Sequence, residues 1–151
     1  MKGIFSALMV PYNEDGSINE NGLREIVRHN IDNMKVDGLY VGGSTGENFM
    51  ISTEEKKRVF EIAIDEAKDQ IQLIAQVGSI NVFESVELGK YATKLGYKCL
   101  SAVTPFYYKF SFEEIKEYYF TIVRETGNNM IIYSIPFLTG VNMSVAQFGE
   151  L

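Results

Sequence analysis

The sequence predicts an α/β fold made of repeated strand–helix units on a parallel sheet. Short apolar runs rich in strand-forming residues alternate with longer stretches of helical period. The runs begin at intervals of about thirty residues, the length of one strand, one helix and two loops. Each run is apolar nearly throughout, as a strand covered on both faces must be, whereas a strand wet on one face would alternate.

Taken in order, the first strand is expected over Ile4–Val10. Glu14-Asp15-Gly16 could be read as a paired-carboxylate site, but the glycine makes it a better turn signal, and Asn19 then opens the first helix. Leu23, Ile26 and Val27 give that helix one apolar face. The second strand is Gly38–Val41, and Ser52 with Glu55 forms a capping box ahead of a helix carrying Val59, Ile62, Ala63 and Ala67. Gln72–Val77 is the third strand, followed by a helix with Val86, Leu88 and Ala92. The fourth strand is Cys99–Val103, and Ser111, Glu113 and Glu114 place a cap and acid in the first turn of the next helix. Met130–Ile135 is the fifth strand. A fifth helix opens at Ser144 and is still in its first turns at Leu151, so residues 1–151 read as one incomplete domain without a linker.

With 46% hydrophobic and 23% charged residues, the 151-residue chain can bury a sizeable core. Its net charge of −6 argues against nucleic acid, whose affinity rests on clustered Lys and Arg. No run approaches the roughly 18 apolar residues of a membrane span, and no charged segment followed by a long apolar stretch opens the chain, so a cytoplasmic protein is expected. Cys99, the single cysteine, has no internal disulfide partner and sits among Leu100, Ala102 and Val103 as a small core residue. The single histidine, His29, follows Arg28 in the first helix, where a surface or end-of-helix role fits better than metal ligation, and no second ligand has usable spacing. Tyr118, Tyr119 and Phe120 are read as core and subunit contact. Asn142-Met143-Ser144 matches a glycosylation acceptor, but a helix N-cap suits it better.

Two parallel-sheet architectures fit so far. A doubly wound, flavodoxin-like domain uses five strands in about this length, whereas a closed barrel needs eight strands and about 250 residues. In both, ligands bind at the carboxyl ends of the strands. Pro11, Pro105 and Pro136 each fall just past a strand end on that face. The second strand runs into Gly42-Gly43-Ser44-Thr45-Gly46-Glu47, where glycines let the backbone turn and two hydroxyls add donors suited to a small anion such as a carboxylate. No lysine follows, so this is not a nucleotide-binding P-loop, and an ordinary glycine-rich turn stays open. The fourth strand leads into Thr104-Pro105-Phe106-Tyr107-Tyr108 and the fifth into Tyr133-Ser134-Ile135-Pro136. A phenol at such a rim can relay a proton, because its hydroxyl both donates and accepts; the competing reading is packing.

Together, Tyr40-Val41-Gly42-Gly43-Ser44-Thr45-Gly46-Glu47, Ser101-Ala102-Val103-Thr104-Pro105-Phe106-Tyr107-Tyr108 and Ile132-Tyr133-Ser134-Ile135-Pro136 resemble the successive signatures of the pyruvate-dependent class I aldolases, the family of dihydrodipicolinate synthase and N-acetylneuraminate lyase. The resemblance covers the chain from Gly3 to Leu151 and implies a (β/α)8 TIM barrel, present here as about five βα units. Within the family the Gly-Gly-Ser-Thr-Gly-Glu form is typical of the sialic acid lyases, and Leu138 stands where the dihydrodipicolinate synthases usually carry an arginine.

What the resemblance implies is retro-aldol cleavage of N-acetylneuraminate to N-acetylmannosamine and pyruvate through a Schiff base on lysine, with no cofactor and no metal. By matched position, Ser44 and Thr45 would hold the pyruvyl carboxylate and Tyr133 would move the proton at the reacting hydroxyl. Tyr107 would support that tyrosine in a neighbouring subunit, in a homo-oligomer that is usually a tetramer in the family. The family's lysine lies on a sixth strand. The ten lysines here fall on helices, loops or a terminus, so the chain alone is expected to be inactive. The rival reading is a non-catalytic half barrel or flavodoxin-like domain holding a small anion at Ser44 and Thr45. A flavodoxin-like receiver would want acid at the end of its first strand, where this chain has Met9-Val10-Pro11-Tyr12.

Overall fold

A computed structural model describes all residues, 1–151. Five strands, β1 (Phe5–Ala7), β2 (Gly38–Val41), β3 (Gln72–Gln76), β4 (Cys99–Val103) and β5 (Asn129–Tyr133), form one parallel sheet in the order β1-β2-β3-β4-β5. Between them run α1 (Glu20–Asp32), α2 (Thr53–Ala67), α3 (Val82–Leu95) and α4 (Phe112–Thr126), and two four-residue turns of helix, α5 (Pro136–Thr139) and α6 (Val145–Phe148), follow β5.

That strand order decides between the two architectures left open by length. A doubly wound sheet reverses direction at a switch point, whereas here every crossover advances one strand the same way. Right-handed crossovers then place all the helices on one face, and α1, α2, α3 and α4 indeed pack in succession on their neighbours. Strand parity assigns the two faces. Leu39, Val41, Ala75, Val77, Leu100 and Ala102 point to the helices and are buried against Leu23, Val27, Phe60, Ala63, Leu88, Ala92, Ile115 and Ile122. Each large side chain so buried contributes roughly 1.5–3 kcal/mol. The opposite face carries Tyr40, Gln76, Ser101, Ile131 and Tyr133. At its β5 edge Ile131 and Tyr133 remain 37% and 40% exposed.

Capping chemistry fixes the helix starts. Asn19 accepts from the Gly22 amide, and Ser52 and Ser111 form reciprocal capping boxes with Glu55 and Glu114. Glu14-Asp15-Gly16 is a turn, with Gly16 at φ +84°. Cys99, Tyr118 and Tyr119 are buried, while Phe120 is 39% exposed.

Four elements differ from the sequence reading, the third strand only in ending at Gln76, one residue before the expected Val77. The first strand is three residues long: after the Leu8 amide donates to Tyr40 O the chain leaves the ladder toward Pro11. The fifth ends at Tyr133 rather than Ile135, since Pro136 sits in the first turn of α5, a short helix the periodicity did not signal. The helix opening at Ser144 is as expected, capped by Ser144 and Gln147.

Candidate active site

β2 and β5 deliver the candidate residues. Gly42 at φ +76° turns the chain off β2 in a conformation that residues with a Cβ rarely adopt, and a Cβ there would meet the Phe60 ring at 3.0 Å. The next residues form a single turn, Ser44–Gly46, closed by bonds from the Gly46 amide to Gly43 O and from the Glu47 amide to Ser44 O, both 3.0 Å. Tyr12 braces the turn from outside, its hydroxyl donating to Gly46 O at 3.0 Å. Ser44 and Thr45 are left exposed on the rim.

A cavity of about 240 Å³ opens beside this turn, lined by Ala7, Tyr40, Gly43, Ser44, Thr45, Gln76, Val103, Tyr133 and Ile135. Thus Ser44, Thr45 and Tyr133, distant in sequence, face one space. No cationic side chain lines it. An anion there would be held by hydroxyls and backbone dipoles rather than by an ion pair.

Tyr107 is placed elsewhere. It has φ +75°, is 82% exposed, and packs edge-on against Tyr108 with ring centroids 5.0 Å apart. With Tyr108 and the Thr139–Met143 stretch it borders a separate depression of about 520 Å³. Within one protomer it therefore does not join the Ser44–Tyr133 cavity. Leu138 is 59% exposed on α5.

None of the lysines lines the cavity. Lys56 and Lys57 lie on α2, Lys90 and Lys94 on α3 and Lys116 on α4; Lys68 caps α2, and Lys98 precedes β4 at the far end of the sheet. Lys56 is buried in an ion pair with Glu84, Nζ to Oε1 2.7 Å. Glu84 also accepts from Ser79 at 2.5 Å and from Thr53 at 3.1 Å. Burial opposes its carboxylate, but these hydrogen bonds outweigh it and hold the pKa below the usual value.

Sequence reasoning gave no role to Tyr40 or Gln76. Gln76 is buried and bonds the Gly78 amide and carbonyl, which stiffens the turn after β3. The Tyr40 hydroxyl donates to Ser101 Oγ at 3.0 Å, and burial pushes its pKa up to about 12. The signal was strand parity: Tyr40 falls between Leu39 and Val41, so it must point away from the helices.

The dihydrodipicolinate synthetase family model matches residues 1–151. N-acetylneuraminate lyase of Fusobacterium nucleatum is 87% identical over the whole chain, which covers 52% of that protein. Among solved structures, the Fusobacterium nucleatum lyase complexed with pyruvate is 86% identical with TM-score 0.93, over 99% of this chain and 50% of that one. CdNal from Clostridium difficile in complex with mannosamine is 70% identical with TM-score 0.98, over 99% and 52%. The chain spans about half the length of the relatives it matches.

Proposed function

The chain belongs to the dihydrodipicolinate synthetase family, and from that membership we propose that it forms the pyruvate-binding part of an N-acetylneuraminate lyase, which cleaves N-acetylneuraminate to N-acetylmannosamine and pyruvate. The observation that carries the reading is the cavity in which the Ser44 and Thr45 turn faces the Tyr133 phenol. The hydroxyls and turn amides of Ser44 and Thr45 hold the carboxylate of the 2-oxo acid. Tyr133 takes the proton from the substrate hydroxyl as the adjacent carbon–carbon bond breaks, and returns a proton in the reverse direction. A lysine amine supplies the electron sink as a Schiff base, and none of these ten lysines lies at the cavity to do so. Tyr107, exposed and outside its own protomer's cavity, supports Tyr133 of a neighbouring protomer in a homo-oligomer, a tetramer by family resemblance.

The test is pyruvate release from N-acetylneuraminate, followed through a lactate dehydrogenase couple. The 151-residue chain alone should give no turnover and no borohydride-trapped pyruvate adduct; turnover would show that a lysine here is competent and overturn the assignment. Refolded with the C-terminal half of the Fusobacterium nucleatum lyase, it should turn over. An assembled complex that stays silent would refute the lyase reading.

A further inference from the structure

Tyr40 stands between the two parts of the candidate site. Its ring covers Gly43 so closely that a Cβ there would lie 2.9 Å from Tyr40 Cδ1 and Cε1, so the turn bearing Ser44 and Thr45 rests on this ring. On its other side the ring meets that of Tyr133, with centroids 5.6 Å apart and planes inclined at 36°. Its hydroxyl is tied to Ser101 Oγ at 3.0 Å, and Ser101 Oγ in turn donates to Ile131 O at 3.2 Å, two residues before Tyr133 on the same strand. One side chain thus reaches β2's turn, β4 and β5.

Tyr133 is 40% exposed, and the Tyr40 ring is the aromatic side chain packed against it. A proton-transfer group has to be held to within a fraction of an ångström of its productive place, and that depends on neighbours whose own rotamers are locked. Tyr40 is locked by burial and by its hydrogen bond, and as a phenol with its pKa pushed up to about 12 it stays a neutral donor through the physiological range.

We propose that Tyr40 is a positioning residue: its buried ring, anchored through Ser101, sets the spacing between the Ser44–Thr45 turn and the Tyr133 phenol. The proposal rests on the reading of this cavity as the pyruvate site. The ring fixes how far the carboxylate-binding turn stands from the proton-transfer group.

The experiment is NMR of the chain with 13C-labelled tyrosine rings and 15N-labelled backbone, on wild type, Tyr40→Phe, Tyr40→Leu and Ser101→Ala, with and without pyruvate. Tyr40→Leu should abolish the ring-current displacement of the Tyr133 signals and the contacts between the two rings, and should move the Gly43, Ser44 and Thr45 amides. Tyr40→Phe, which keeps the ring, should restore most of the Tyr133 signature. Ser101→Ala, which does not bear on the turn directly, should still broaden Tyr133 by freeing its support. Should Tyr40→Leu fold with Tyr133 and the turn amides unmoved, the positioning role is refuted. If it fails to fold, Tyr40→Phe and Ser101→Ala carry the decision: equal losses of melting temperature with Tyr133 unchanged would mark Tyr40 as ordinary core and overturn the proposal. Pyruvate should perturb the Ser44 and Thr45 amides in wild type and less in Tyr40→Leu. Response of Tyr133 to the variants with no pyruvate response in wild type would uphold the positioning role and instead refute the pyruvate reading of the cavity.

Discussion

Phe60→Leu tests whether the turn carrying Ser44 and Thr45 is held by the hydrophobic core. Phe60 lies on α2, is 0% exposed, and has its ring centroid 5.6 Å from that of Tyr97. Tyr97 is tied to the same residue by a 2.9 Å bond from its hydroxyl to Phe60 O. The ring also lies against the backbone at Gly42, where a Cβ would stand 3.0 Å from its Cε1. Truncation to Ala would cost about 3–5 kcal/mol, too much of a typical stability of about 5–15 kcal/mol to read cleanly. Leu keeps most of the buried area and removes the aromatic pair and the flat surface under Gly42. The expected loss is roughly 1–2 kcal/mol, from the shape change together with an aromatic contact of about 0.5–1.5 kcal/mol. With a urea slope of about 2 kcal/mol per molar, the midpoint should fall by about 0.5–1 M. Circular dichroism reads that shift, and amide hydrogen exchange reads the turn, where the Gly46 and Glu47 amides that close it should lose more protection than the change in global stability explains. A lowered midpoint with those amides protected as before would refute the claim that the ring supports the turn. An unchanged midpoint would refute the packing argument itself.

Alkaline titration should unfold the protein. Burial holds Tyr40 at about 12 and raises Tyr97, Tyr118 and Tyr119 as well. A phenol whose folded pKa exceeds its unfolded value near 10 contributes its full stability below that pH and loses it as pH climbs toward the folded value; for Tyr40 this is on the order of 2–3 kcal/mol between pH 10 and 12. A midpoint in urea that stays flat from pH 9 to 12 would contradict it. Glu84→Ala should destabilise by about 3 kcal/mol, because it strands the buried Lys56 ammonium, and Lys56→Met in that background should recover much of the loss. Equal and additive losses in the two single variants would show that the pair is not coupled. Ser111→Ala removes the cap that accepts from the Glu114 amide and should cost about 1 kcal/mol, read as a lower melting temperature; no change would mean that α4 is held by packing alone.

The sequence by itself determined the units. The apolar runs at Gly38–Val41 and Cys99–Val103 are the observed strands residue for residue, since each is paired on both sides and its pattern has no competitor. The helix starts at Asn19, Ser52 and Ser111 were legible because capping is a local interaction. The motif residues were legible by resemblance. What stayed hidden depended on partners far along the chain. β1 is short because the chain leaves the ladder after Leu8 toward Pro11, and α5 is set by Pro136 against an apolar pattern that reads as strand. Length could not choose between a doubly wound sheet and a barrel; only the pairing order did, because hydrogen-bond partners across a parallel sheet leave no local trace. Tertiary structure alone brought Ser44, Thr45 and Tyr133 to one cavity and set Tyr107 outside it. It also gave Tyr40 its place, since a ring's neighbours on the next strands are fixed by register and not by anything in its own strand.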